Sequence, residues 1–153
     1  MDPKMKEKTL KNWIESVLSG YSVKPVFEVV EYIEDAGGGI LDGFLMAYEG
    51  KSVDEKVEEA IDNLMRFLAT DRNLSPSESI RLVFRLRDMI ADGLRLSVSE
   101  KFEFNRRTED LILKAFDAYM ACREKIFELR LKEKENDIEM MRKIMEYADR
   151  ARS

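Results

Sequence analysis

The chain has 153 residues, of which 44% are hydrophobic and 37% charged, and its formal net charge is −5. That suits one domain built on one core, lies far from the disordered class, and argues against general affinity for nucleic acid. With no histidine and one cysteine, the sequence excludes Ser-His-Asp and Cys-His catalysis, an H-E-x-x-H zinc site, a Glu-x-x-His di-iron bundle, a haem held by a proximal histidine and an internal disulfide.

The first residues, "MDPKMKEKTL", are basic but lead into no apolar stretch of the signal-peptide kind. No apolar run approaches the ~18 residues of a membrane span. A cytoplasmic protein with no membrane and no nucleic-acid partner is the expectation. Met5, Leu10, Trp13, Ile14, Val17 and Leu18 recur at helical spacing, with Gly20 as the C′ stop. A short helix is predicted over Pro25 to Asp35, with Pro25 in its first turn and the stripe Val26, Val29, Val30, Ile33. "GGG" at 37–39 breaks it, and Ile40 to Tyr48 forms another short helix. In "SVDEKVEEAIDNLMRFLAT", Ser52 and Glu55 have capping-box spacing, and Val57, Ala60, Ile61, Leu64, Met65 and Leu68 follow at three and four residues. Ser75-Pro76-Ser77-Glu78 opens the next helix: Ser75 is the N-cap, Pro76 stands at N1 and Glu78 at N3. Ser75 also precedes a proline, the context of proline-directed phosphorylation, but the cap already accounts for it. "RLSVS" reads as a linker.

From about Glu100 to Arg150 there is neither proline nor glycine. A helix of that length extends roughly 75 Å, against a body about 30 Å across, so its distal part projects or packs on another chain. Phe102, Leu111, Ile112, Ala115, Phe116 and Tyr119 read as core. Beyond Arg130 mixed charge dominates, with Glu128–Lys132, Glu139–Lys143 and Glu146–Arg150 in the favourable order. Two partial heptad seams compete, one through Tyr119, Cys122, Ile126 and Leu129, the other through Phe127, Leu131, Ile138, Met141 and Met145. The domain reading is a body over 1–130 and a helical extension over 131–153.

The remaining candidate sites have plainer explanations. "GGGILDGF" has G-x-x-x-x-G spacing at Gly38 and Gly43, but Phe44 stands where a phosphate-binding loop needs lysine, so an interhelical corner is expected. The carboxylates of the first half form a solvated face, and lack the histidines or Asp-x-Asp loop of a metal site. Cys122 is a redox or axial-ligand candidate by chemistry and a small buried apolar residue by default. Trp13, Phe67, Phe84 and Phe116 are the candidate lining of a ligand cavity, with core filling as the default. Tyr119, Cys122, Ile126, Leu129, Ile138, Met141 and Met145 are the candidate dimer or partner interface. No catalytic constellation, cofactor site or metal site is assembled.

Two segments carry a pattern. "RFLATDRNLSPSESIRLVFRLRDMI" resembles part of the N-terminal domain of RsbRD-type proteins, the RsbT co-antagonists of bacterial stressosomes, through Arg66, Ala69, Pro76-Ser77, Phe84 and Arg87. "LKAFDAYMACREKIFELRLKE", Leu113 to Glu133, resembles the end of the same domain in its Phe-Asp-x-Tyr-Met and Cys-Arg-Glu-Lys-Ile runs, and Trp13 fits as well. The similarity spans about Lys8 to Lys134. It implies an all-α, globin-like domain without haem, a homodimer, and a last helix leading to a STAS signalling domain. The chain ends at Ser153 with no STAS domain, so that domain's phosphorylation sites and kinase surface do not carry over; it is read as a stand-alone relative or a fragment. The expected function is a haem-free sensory or regulatory module, non-enzymatic, relaying a signal through its long helix to a protein partner. A small-molecule or haem-binding protein, and a structural adaptor using the C-terminal helix, are the alternatives.

Overall fold

The computed structural model describes residues 1–152. All regular structure among them is helical: α1 Pro3–Leu18, α2 Phe27–Tyr48, α3 Glu55–Thr70, α4 Pro76–Gly93 and α5 Val98–Arg152. The starts follow from capping chemistry. Asp2 accepts from the Met5 amide at 2.8 Å and Pro3 follows at the first helical position. Ser75 accepts from the Glu78 amide at 3.2 Å with Pro76 next, as its sequence predicts. Ser97 and Glu100 form a reciprocal box at the start of α5: the Glu100 amide donates to Ser97 Oγ, and the Ser97 amide donates to Glu100 Oε1. This hydrogen bonding holds the Glu100 carboxyl below its ordinary pKa.

Three expectations are corrected. α3 begins two residues beyond the Ser52 box, because the Asp54 carboxylate caps it by accepting from the Val57 amide. Pro25 lies outside α2, which starts at Phe27 with Val26 as N-cap and no side-chain cap bond. The glycine run does not interrupt α2, which is one 22-residue helix. The reason lies in packing. A Cβ on Gly37 would strike the Trp13 ring, one on Gly39 the Ala60 Cβ, and one on Gly43 the Val57 Cγ1. The missing side chains let α1 and α3 approach the α2 backbone. That gain in contact outweighs the propensity cost of roughly 0.5–1 kcal/mol per glycine. α2 ends where Gly50 turns to φ +76°, with Gly50 N bonded to Ala47 O and Lys51 N to Met46 O, a Schellman closure.

α5 packs against α2, α3 and α4, while α1 packs on α2 and α4 on the other side of the body. Trp13, Phe44, Phe104 and Tyr119 are the largest fully buried side chains. The Phe104 ring meets Tyr48 edge-on at 5.1 Å. Trp13 Nε1 donates to Leu82 O at 2.8 Å, so its one polar atom is satisfied in the core.

Candidate interaction surface

α5 has two faces. Phe104, Thr108, Leu111, Ile112, Ala115 and Tyr119 are buried against the body, and Cys122 and Ile126 are half-buried against the same core. From Phe127 to Arg152 every residue is exposed. The two heptad seams therefore separate. The Tyr119–Cys122–Ile126 seam belongs to the body, and Tyr119, fully buried, offers no surface to a partner. Its Oη and Ser79 Oγ are buried without a hydrogen-bond partner among the described residues. Leu129, Ile138, Met141 and Met145 stand in solvent, together with Phe127, Leu131, Met140, Ile144 and Tyr147.

The opposite face of α5 is apolar within the body as well, which corrects the core reading of Phe102 and Phe116. Phe102 is 71% exposed, Leu113 54%, Phe116 44% and Met120 38%. Phe84 of α4 lies beside them at 38%, with the Arg87 guanidinium 4.9 Å over its ring. Two open grooves share Phe84: one between Pro76, Ile80, Arg81 and Phe116, the other between Phe102, Arg106 and Leu113. Trp13 and Phe67 do not join Phe84 and Phe116 as a cavity lining. Trp13 is core, Phe67 packs partly buried on it, and Phe84 and Phe116 form part of an outer surface. A periodicity count could not separate these roles, because α5 is apolar on both faces. Stepping back by sevens, Phe127 leads to Met120 and Leu113, while Leu131 leads to Glu124 and Asp117, so one half of the seam signals the outer face of the body.

Two α5 arginines fix the helix to the body. Arg107 Nη1 donates to Tyr48 O at 2.6 Å, at the end of α2, and Arg123 Nη1 to Ala69 O at 3.1 Å, at the end of α3. Both satisfy carbonyls that a helix terminus leaves open. Arg106 and Arg107 also bond Glu103 and hold its carboxyl down at about 2. Beside the Arg123 contact, Tyr21 donates to Asp71 Oδ2 at 2.6 Å; burial and then this bond push the Tyr21 phenol up. Neither arginine contact is legible in the sequence, since each pairs a side chain with a distant backbone carbonyl. On the projecting segment the Glu128–Lys132 and Glu139–Lys143 pairs are not closed, whereas on the body Lys101 pairs with Asp92, Arg106 and Arg107 with Glu103, and Lys114 with Glu58.

Among the described residues no group of three His, Cys, Asp or Glu side chains converges as metal ligands, and no helix is long and apolar enough to cross a membrane.

The arrangement defines an all-α protein whose last helix is both core element and free arm. The chain belongs to the same family as an uncharacterized protein of Archaeoglobus fulgidus, with which it is 55% identical over 148 residues, 97% of each chain. No protein-family model and no solved structure matches it.

Proposed function

We propose that the protein is a non-enzymatic, haem-free, globin-like sensory or regulatory module that acts as a dimer and relays a signal through α5. One observation carries this reading: a single uninterrupted helix forms a wall of the core up to Ile126 and then runs free as an apolar-striped arm. A change in body packing therefore moves the arm with no hinge between them. Arg107 and Arg123 are the points through which α2 and α3 would displace it. The resemblance to RsbRD-type N-terminal domains supports the same role. The relative in Archaeoglobus fulgidus matches across body and arm together. The sequence holds no histidine to ligate a haem.

Truncation after Arg130 tests the separation of body and arm. Circular dichroism and urea denaturation are expected to show a cooperative helical body, while sedimentation shows dimer affinity reduced by at least about tenfold, since most exposed seam residues are gone. Outright unfolding of the truncated chain would refute the division. A stoichiometric Soret band after haem reconstitution of the full chain would overturn the haem-free reading.

A further inference from the structure

The face of α5 opposite the core has no partner among the described residues, and we infer that it is covered by the same face of a second copy running antiparallel, with the twofold axis near residue 129. This geometry rests on the dimer reading above and adds its direction and register.

Assigning a to Leu131, Ile138 and Met145 puts Leu113, Met120, Phe127 and Met141 at d. The buried residues Phe104, Thr108, Leu111, Ile112, Ala115 and Tyr119 then fall at b, c and f, so the seam points directly away from the body. The d positions Leu113, Met120 and Phe127 thus lead from the body surface into the arm, with Asp117 and Glu124 at the intervening a positions. An antiparallel partner centred at 129 sets Phe127 against the partner's Leu131, Met120 against the partner's Ile138, and Leu113 against the partner's Met145. The free arm of each copy then lies along the exposed body face of the other. Met141 of the partner subunit arrives against Asp117, next to Phe116 and the groove that Phe84 and Phe116 line.

Charge selects the direction. Glu124 and Lys134 interrupt the seam, both exposed, one at a and one at d, each five residues from the axis. Antiparallel pairing brings Glu124 against Lys134 of the partner subunit, twice. Parallel pairing sets each against its own copy, and Asp117 against itself as well, whereas antiparallel pairing sets Asp117 against the partner's Met141, with neither a countercharge nor a like charge. Parallel chains would gain rim pairs, Arg123 with the partner's Glu128, Arg130 with the partner's Glu135 and Asp137 with the partner's Arg142. Antiparallel chains gain Arg123 with the partner's Asp137 but bring Arg130 near its own copy, and Glu128 near its own copy. Exposed rim pairs contribute little, whereas like charges inside a closing seam are desolvated and unpaired, so the seam residues decide.

The test uses full-length chains in a Cys122→Ser background. Met120→Cys and Ile138→Cys variants are oxidised first separately and then, from the reduced proteins, as an equimolar mixture. The two copies of residue 138 would stand about 27 Å apart along antiparallel helices, beyond any disulfide. The expected result is no cross-link within either variant and a heterodimeric cross-link in the mixture. Self-linking of Ile138→Cys would overturn the antiparallel geometry while leaving a dimer intact. Monomers by light scattering at tens of micromolar, a range about where a weak dimer would assemble, would sink the dimer reading itself. Charge exchange is the second arm: Glu124→Lys is expected to weaken dimerisation about tenfold, and adding Lys134→Glu to restore it. Failure of the double exchange to restore it would overturn the seam.

Discussion

Gly38 and Gly39 look equivalent in sequence and differ sharply in surroundings. A Cβ on Gly38 meets only the flexible end of Leu10, at 3.7 Å, whereas one on Gly39 meets the Ala60 Cβ. An alanine Cβ is fixed to the backbone and cannot rotate aside, so α2 and α3 would have to separate. Gly38→Ala is therefore expected to stabilise the fold by about 0.5–1 kcal/mol through helix propensity. Gly39→Ala is expected to destabilise it by about 1–3 kcal/mol through overpacking. Urea denaturation of the two variants measures the contrast, and equal effects would refute the close-packing account. The same positions show where sequence reading stops. A glycine run signals a break by local propensity, and only the identity of the neighbour across the interface reveals that it is a contact surface. Ser75, Pro76 and Glu78 were legible because a cap is a local arrangement.

Helix ends show the same division between local and distant causes. α2 closes on Gly50, which adopts its left-handed φ without steric cost. α4 closes by the same pattern, with Arg95 N bonded to Asp92 O and Leu96 N to Ala91 O, but an arginine at φ 55° fills the left-handed position. Gly93, two residues earlier, stays inside the helix, where its missing Cβ accommodates Met1 and Thr9. The one glycine near this terminus is thus committed to packing α1, and the turn adopts a strained residue instead. Arg95→Gly is expected to raise stability by about 0.5–1 kcal/mol, the relief of left-handed strain less the added entropy of the unfolded chain. Thermal or urea unfolding reads this directly, and a loss of stability would mean that the Arg95 side chain makes a contribution its exposed position does not suggest. α5 was the most legible element in extent and the least in orientation. Its length follows from the absence of breakers, but with Phe104 and Leu111 on one face and Phe102 and Leu113 on the other, hydrophobicity could not say which faces the body.

At the scale of the whole molecule, the core and the arm place different demands on stability. The body buries Trp13, Phe44, Phe104 and Tyr119 completely and carries its own hydrogen-bonded termini. The arm, about seven turns long, buries nothing within its own chain, and an isolated helix of mixed charge gains little from propensity alone. Its order depends on what covers its stripe. If a second copy does so, folding and association are linked, and the melting temperature rises with protein concentration. A tenfold change is worth about 1.4 kcal/mol per dimer, which against the unfolding entropy of two chains of this size shifts Tm by about 2 °C. Calorimetry of the full chain over a hundredfold concentration range is expected to move Tm upward by about 4 °C, and the chain truncated after Arg130 is expected to show a much shallower dependence. A full-length Tm independent of concentration would mean that the arm's apolar stripe is not closed by self-association, and would leave a different protein as its partner.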